Sequence, residues 1–216
     1  MRTLALAETE PSALPLQRLP KQTLHHAWAP KVGRTVAFTG RAQLHLWTML
    51  EANPAVTRYC ERPAWPEECE PRPSIDFWAL RDGMPVCLSL QESAPPDTVE
   101  EPRLPFGLIV QTITARELDS HRVWIQNWLS LLPYLSTASS LNLDTMRTPV
   151  IEFFASEASF DDAERHFANI DPVLVRTAVI SELHRGRLFS HDLIARPWDR
   201  HTRVVRASPR THDAPQ

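Results

Sequence analysis

The stretch from Gly33 to Glu51, GRTVAFTGRAQLHLWTMLE, decides the fold class together with the segments that follow it. Leu44, Trp47 and Leu50 recur at three-residue spacing, so the pattern predicts a helix over about 40–52 with one apolar face. Asn53-Pro54 ends it, because the residue before a proline disfavours the helical conformation.

A strand and then a hairpin are predicted after this helix. Residues 56–60 form the first strand, and residues 74–80 and 85–91 pair across Arg81-Asp82-Gly83. Asp-Gly favours a tight turn because both positions accept a positive φ. The apolar, β-branched run at 106–114 predicts a further strand. A helix with several strands indicates an α/β sheet domain.

The last part of the chain has a mainly helical pattern. Helices are expected at about 117–132, 159–169 and 172–184, turns at 133–149, and a short strand at 202–205. Two short helices, the stop at Gly186 and a strand suggest a smaller winged-helix-like domain. The predicted organisation is an extended arm at 1–30, an α/β core at 31–115, the helical domain at 116–200 and a basic tail at 201–216.

The composition is that of a soluble globular protein. The 216 residues are 43% hydrophobic and 23% charged, with a net charge of -3. No apolar run approaches the ~18 residues of a membrane span, and the N-terminal residues do not resemble a signal peptide. We therefore expect a cytoplasmic protein without a membrane partner. Three cysteines without a CxxC pair predict no zinc site.

Charge is unevenly distributed along the chain. Acidic residues dominate from Glu61 to Glu101, whereas arginine dominates from Arg185 onward. Arginine suits phosphate because its guanidinium offers a bidentate fork. The alternative is a solvated basic tail. The candidate DNA-binding residues are Arg185, Arg187, Arg200, Arg203 and Arg206.

Metal-dependent cleavage of a phosphodiester needs several carboxylates around Mg²⁺ or Mn²⁺ and a nearby cation. A common solution places a glutamate on a helix, an aspartate at a strand start and Glu-x-Lys on the paired strand. The single intervening residue puts Glu and Lys on the same face of that strand. The sequence predicts its helix, strand and hairpin in this same order.

Residues 30–91 resemble the N-terminal domain of TnsA-like transposon endonucleases. The matching pieces are GRTVAF at 33–38, LEANPAV at 50–56, YCERP at 59–63, SIDF at 74–77 and the run at 83–91. The resemblance implies a restriction-endonuclease-like fold of the PD-(D/E)xK type, with a mixed sheet flanked by helices. It also implies a helical, winged C-terminal domain.

The catalytic positions that the resemblance implies are mostly neutral here. Gln43 stands at the helix glutamate, Asp76 is kept, and Ser89 and Gln91 replace the Glu and Lys of Glu-x-Lys. A lone carboxylate at Asp76 is a weak site, or none, for a hard divalent cation. These four residues are therefore predicted to be a vestigial catalytic site, and no cofactor is expected.

The resulting hypothesis is a non-cutting TnsA-like subunit of a heteromeric transposition complex. Its implied partners are transposon-end DNA, a DDE transposase subunit and an AAA+ ATPase regulator. One alternative is an active Mg-dependent endonuclease that nicks the 5′ ends of the element, with Glu51 or Glu92 as a relocated ligand. Another is a non-enzymatic protein-interaction module on a nuclease fold.

Overall fold

A computed structural model describes residues 11–16, 22–64, 75–91, 110–138 and 143–208. The chain divides into two compact units. Unit 1 comprises Met1–Glu51 and Ala55–Ser120, and unit 2 comprises Ala52–Pro54 and His121–Gln216. The sequence had placed the division after residue 115. Within the described ranges, no helix combines the length and apolar character needed to span a bilayer.

Unit 1 opens with an antiparallel hairpin of β1 (Leu24–Ala29) and β2 (Arg34–Thr39). The prediction of an extended arm over residues 1–30 is therefore wrong for β1. The segment LHHAWA has weak intrinsic strand propensity, and it forms a strand because all six of its residues pair with β2.

The main sheet of unit 1 follows helix α1 (Arg41–Ala52). Its strands are β3 (Val56–Glu61), β4 (Phe77–Arg81), β5 (Met84–Gln91) and β6 (Val110–Thr114), hydrogen-bonded in that order. The first three are antiparallel and β6 runs parallel to β5, so the sheet is mixed. Helix α2 (Ala115–Ser120) follows β6 directly. The prediction of an α/β sheet domain is confirmed.

The turn between β4 and β5 is the predicted tight hairpin. Asp82 and Gly83 have φ values of 50° and 76°, the positive values that the Asp-Gly pair accommodates. Arg81 pairs with Met84 across it, and this register continues to Phe77 opposite Leu88. The hairpin thus sets which residues of β5 lie beside the start of β4.

Both faces of the sheet carry apolar side chains. On one face, Phe38 lies 5.4 Å from Trp47 of α1 and 6.0 Å from Phe77, measured between ring centroids. The other face holds a buried cluster of Cys60, Ile75, Trp78, Cys87 and Val110. Burial raises the pKa of the Cys87 thiol to about 12, so this cysteine is a packing residue rather than a nucleophile.

Strand alternation does not extend upstream of β4. Regular alternation over the predicted strand 74–80 would place Asp76 on the face of Trp78 and Leu80, with Ile75 on the opposite face. In the structure Ile75 packs with Trp78 instead. The regular strand begins at Phe77, and Asp76 lies in a bend before it. This bend frees the Asp76 side chain from the strict period of two.

Unit 2 is mainly helical with one small sheet. Its helices are α3 (Arg122–Ala138), α4 (Asp144–Phe153), α5 (Phe160–His166), α6 (Pro172–His184) and α7 (Asp192–Ala195). Strands β7 (Ala158–Ser159), β8 (Leu188–Phe189) and β9 (Arg203–Arg206) pair antiparallel in the order β7-β9-β8. Because β9 belongs to this sheet, the prediction of a basic tail from residue 201 is wrong for 203–206.

Two predictions for the helical part of the chain differ from the observed helices. The single helix predicted at 117–132 is divided between α2 and α3. The turn-rich segment predicted at 133–149 is helical over most of its described residues, with Pro133 inside α3 and Pro149 inside α4. Buried side chains next to these prolines, Leu132 and Val150, stabilise the helices by packing despite the hydrogen bonds that proline removes.

The starts of α5 and α6 and the end of α6 lie close to the positions predicted from the sequence. Ser159 and Asp162 form a reciprocal capping box at the start of α5. Asp171 caps α6, whose first residue is Pro172, and Gly186 follows this helix with φ 70°.

Candidate functional site

Asp76 lies where α1 and the β4–β5 hairpin meet. Its backbone N–H donates to the carbonyl of Leu88 at 2.9 Å. Its carboxylate accepts two hydrogen bonds, from the Leu90 backbone N–H to Oδ2 at 2.7 Å and from Gln43 Nε2 to Oδ1 at 2.8 Å. The carboxylate therefore joins the hairpin to the first turn of α1.

The orientation of the Gln43 amide follows from its second partner. Its Oε1 accepts the backbone N–H of Thr39 at 3.0 Å. A backbone N–H is always a donor, so the amide oxygen must face Thr39 and the amide NH₂ must face Asp76. Gln43 thus serves as a neutral link between the end of β2 and the Asp76 carboxylate.

The other two predicted catalytic positions lie elsewhere on β5. Ser89 is 7% exposed and pairs with Thr112 of β6, whereas Gln91 is exposed at the end of the strand. Among the described residues, the side-chain hydrogen bonds of Asp76 go to Gln43 and Leu90, not to Ser89 or Gln91. Of the four predicted residues, Gln43 and Asp76 are joined by a hydrogen bond, and Ser89 and Gln91 flank Leu90, whose N–H bonds to Asp76.

This arrangement does not fit a divalent cation. Mg²⁺ requires a near-octahedral set of oxygen ligands, of which proteins usually supply carboxylates. Here both Asp76 oxygens accept protein N–H groups, and Gln43 presents a donor where a ligand would be needed. The described ranges contain no cluster of three or more His, Cys, Asp or Glu side chains suited to a metal.

Glu51, one of the relocated ligands considered above, is committed to a different network. It is fully buried, and its Oε2 accepts a short hydrogen bond from the Tyr59 hydroxyl, which in turn accepts from Trp47 Nε1 at 2.7 Å. Its Oε1 accepts the Lys31 backbone N–H at 3.2 Å. Glu51 is therefore a structural carboxylate, and the second alternative, Glu92, lies outside the described residues.

Lys31 joins the same network and was not anticipated from the sequence. Its Nζ donates to the Leu50 carbonyl at 2.9 Å, near the C-terminus of α1. Burial lowers the pKa of Lys31 to about 7, against the opposing effect of the nearby Glu51 carboxylate. No local pattern identifies such a lysine, because its surroundings come from residues distant in sequence.

Arg62 and Glu61 frame the Asp76 bend from β3. The Arg62 backbone N–H donates to the Asp76 carbonyl at 2.8 Å, and Arg62 takes the unusual φ of 45°. Its Nη1 donates to the Ala37 carbonyl at 2.7 Å. Glu61 accepts a bidentate pair from Arg34, at 2.7 and 2.6 Å. These contacts connect the Asp76 bend to β3 and β2.

Two of the predicted DNA-binding residues are anchored to one buried carboxylate in unit 2. Glu182 is 2% exposed, and its oxygens lie 3.0 Å from Arg185 Nη1 and 2.6 Å from Arg187 Nε. A third guanidinium, that of Arg147, lies 3.8 Å away. Arg147 also lies 3.0 Å from the exposed Asp144, so three guanidinium groups face two carboxylates here. Neither Glu182 nor Arg147 was predicted.

The remaining predicted arginines lie around β9 and the turn before it. Arg200, Arg203 and Arg206 are all exposed. Arg203 lies 3.4 Å from Glu157, and Arg200 Nε lies 3.2 Å from the ring of His201. Exposure leaves these guanidinium groups accessible to an anionic ligand, which is compatible with the predicted role.

Comparisons with known proteins do not identify the chain. No protein-family model matches it, and no curated protein shows significant similarity to it. The molecule is thus defined by its own features: an α/β unit with a four-stranded mixed sheet, and a mainly helical unit with a small antiparallel sheet.

Proposed function

We propose that this chain is a non-cutting subunit of a heteromeric DNA transposition complex, similar to TnsA but without its chemistry. The hydrogen bond from Gln43 to Asp76 carries the proposal. It lies at the position where a nuclease of this kind would hold a metal between two carboxylates. A neutral amide there preserves the geometry of the scaffold while removing a ligand.

The architecture supports a nuclease-like origin for unit 1. A helix precedes three antiparallel strands, and a fourth strand adds in parallel beside the third. This order suits a restriction-endonuclease-like core. In unit 2, the β8–β9 pair follows α6, as the wing of a winged helix would. We infer that unit 2 is the DNA- or partner-contacting part.

Arginine chemistry supports contact with DNA. Arg200, Arg203 and Arg206 are exposed, and Arg185 and Arg187 are oriented by Glu182. Guanidinium groups held in place lose less conformational freedom on binding phosphate than free ones do. The partners we propose are transposon-end DNA, a DDE transposase subunit and an AAA+ ATPase regulator.

A cleavage assay tests the absence of nuclease activity. The full chain is incubated with supercoiled plasmid carrying the element's ends, in Mg²⁺ or Mn²⁺, with the Asp76→Ala variant in parallel. We expect no nicking from either protein. Metal-dependent nicking that Asp76→Ala abolishes would overturn the proposal and establish the active-endonuclease alternative.

A binding assay tests the DNA contact. Affinity for the same DNA is measured over a range of salt concentrations, for the wild type and for Arg200→Gln with Arg203→Gln. Each lost phosphate contact is expected to reduce the log–log salt slope by about 0.9. Arg165→Gln on α5, an exposed arginine outside this group, is the matched control. Absence of DNA binding at low salt, with stable binding to a protein partner, would favour the interaction-module alternative.

A further inference from the structure

Unit 2 contains an apolar cavity of about 700 Å³. Its walls come from α3, α4, the end of α6, β8, α7 and the end of β9, together with Ala52 and Pro54. The aromatic and aliphatic residues that line it include Trp124, Trp128, Ile151, Leu188, Phe189 and Ile194. Cavities of roughly 300–1,000 Å³ with mainly apolar walls and few polar groups are typical small-molecule sites.

The charged residues of the cavity all carry the same sign. Arg187 and Arg206 line it, and no lysine, histidine or carboxylate is among its lining residues in the described part of the chain. Arg187 shares its charge with Glu182, but this carboxylate does not line the cavity, so the lining itself carries positive charge only and favours an anionic group.

Arg187 is held in place from outside the cavity. It directs Nε and Nη2 to the Glu182 carboxylate, at 2.6 and 3.3 Å, and Glu182 does not line the cavity. Its backbone N–H also donates to the Glu182 carbonyl at 2.9 Å. This arginine is therefore oriented before any ligand arrives.

Arg206 lines the cavity from the end of β9. It shares a face of β9 with buried Val204, whereas Arg203 shares the opposite face with Val205 and lies near Glu157. Arg203 is thus an exposed arginine of the same strand that does not line the cavity, and it provides a matched control.

Two serines, Ser190 and Ser208, line the cavity, and the Ser190 hydroxyl is already engaged. The Ser190 hydroxyl donates to the Arg203 carbonyl at 2.6 Å and accepts the Leu193 backbone N–H at 3.3 Å. Specificity for a polar group thus rests with the two guanidiniums rather than with this hydroxyl.

We propose that this cavity binds a small anionic amphiphile, namely an aromatic or medium-chain aliphatic carboxylate. The apolar body lies against Trp124 and Trp128, and the carboxylate bridges Arg187 and Arg206. The inference is independent of the proposed role in transposition, because all of the lining residues belong to unit 2 and none belongs to the Asp76 site.

The experiment uses the full chain and two probes, anilinonaphthalene sulfonate and decanoate. The sulfonate dye becomes fluorescent in an apolar site, and decanoate is added as a competitor. We expect saturable dye binding that decanoate displaces, while decanol, which lacks the charge, displaces it about tenfold less well. Equal displacement by decanol, or no displacement by decanoate, would overturn the proposal.

Two variants and one control locate the site. Arg206→Gln is expected to weaken decanoate binding about tenfold, and Arg203→Gln to leave it unchanged. Ala155→Phe fills the cavity from an exposed lining position, so it should reduce dye binding without unfolding the chain. Circular dichroism of each variant verifies folding. Wild-type affinity in folded Arg206→Gln and Ala155→Phe, or displacement of the dye by an acidic peptide but not by decanoate, would contradict the assignment.

Discussion

Gln43 Nε2 donates a hydrogen bond of 2.8 Å to Asp76 Oδ1. The two residues lie 33 positions apart in the chain, one on α1 and the other at the bend before β4. This contact joins the first turn of α1 to the β4–β5 hairpin and supplies a neutral donor to one oxygen of the Asp76 carboxylate. Under the proposed function, the amide takes the place of the metal that a nuclease would hold there.

Replacing Gln43 by glutamate should create a divalent-cation site. Two carboxylates at hydrogen-bond separation repel each other unless they share a proton or bind a cation. We expect Gln43→Glu to melt at a higher temperature in millimolar Mn²⁺ than in its absence, while the wild type is unaffected. Adding Asp76→Asn should remove the effect. A metal-independent melting temperature in Gln43→Glu would show that the geometry cannot hold a cation.

Asp76 is expected to contribute to stability whether or not the chain acts on DNA. Asp76→Ala leaves the Leu90 N–H and the Gln43 amide without their acceptor, at a cost of about 1–3 kcal/mol. Urea denaturation measures this difference. Ser89→Ala serves as a comparison from the same predicted site. An equal effect of the two substitutions would argue against the specific role of Asp76.

Lys31 gives the stability of the chain a defined pH dependence. Its pKa is lowered to about 7 in the folded state and returns to about 10.5 on unfolding. Between these values the unfolded chain binds more protons, so the free energy of unfolding contributed by this group rises with pH from about 7 to about 10.5. Below pH 7 the lysine is charged in both states and its unfavourable contribution is fully present.

Lys31→Met tests this dependence. Urea denaturation at several pH values should give a flatter profile for the variant over the alkaline range. A control substitution at the exposed Arg41 should leave the wild-type slope intact. Parallel profiles for wild type and Lys31→Met would contradict the assignment of the slope to this lysine.

Gly186 is required for two separate reasons. Its φ is +70°, and a Cβ built there would lie 2.6 Å from Cβ of Pro54. Gly33 has a similar φ of +64° but no atom within 4 Å of such a Cβ. Gly33→Ala should therefore cost about 1–2 kcal/mol from backbone strain alone. Gly186→Ala should cost clearly more, as measured by thermal unfolding. Equal losses would show that Pro54 moves aside freely.

The capping box at the start of α5 should also be measurable. Ser159→Ala removes the hydroxyl that accepts the Asp162 N–H at 3.1 Å, so we expect a loss of about 1 kcal/mol. Hydrogen bonding to Ser159 lowers the pKa of Asp162, and this shift should diminish in the variant. Titration of the Asp162 carboxyl by NMR monitors the change, and an unchanged pKa would contradict the reciprocal cap.

Local signals in the sequence were sufficient for several elements. The spacing of Leu44, Trp47 and Leu50 predicted α1, Asp82-Gly83 predicted the hairpin, and the pattern from residue 159 predicted the start of α5. Each signal depends on neighbours within one turn of helix or one tight turn. Such interactions are encoded in adjacent residues, and for that reason they can be inferred without tertiary structure.

Elements that are stabilised by pairing or packing with another segment were harder to predict. Strand β1 depends on pairing with β2, and the helical segments around Pro133 and Pro149 depend on burial of their apolar neighbours. Local propensity opposes these structures, because the segment of β1 has weak strand preference and proline removes a helix hydrogen bond. Packing outweighs propensity at both places.

Some features of the candidate site could likewise be expected from the sequence, whereas others are visible only in the tertiary structure. The resemblance to TnsA-like endonucleases directed attention to Gln43 and Asp76 and implied that catalytic charges are missing around them. The tertiary structure alone revealed that Gln43 turns its NH₂ toward Asp76, that Glu51 is buried against Tyr59, and that Glu182 gathers arginines. The direction of an amide and the partner of a buried charge depend on atoms brought together by folding, so no local pattern encodes them.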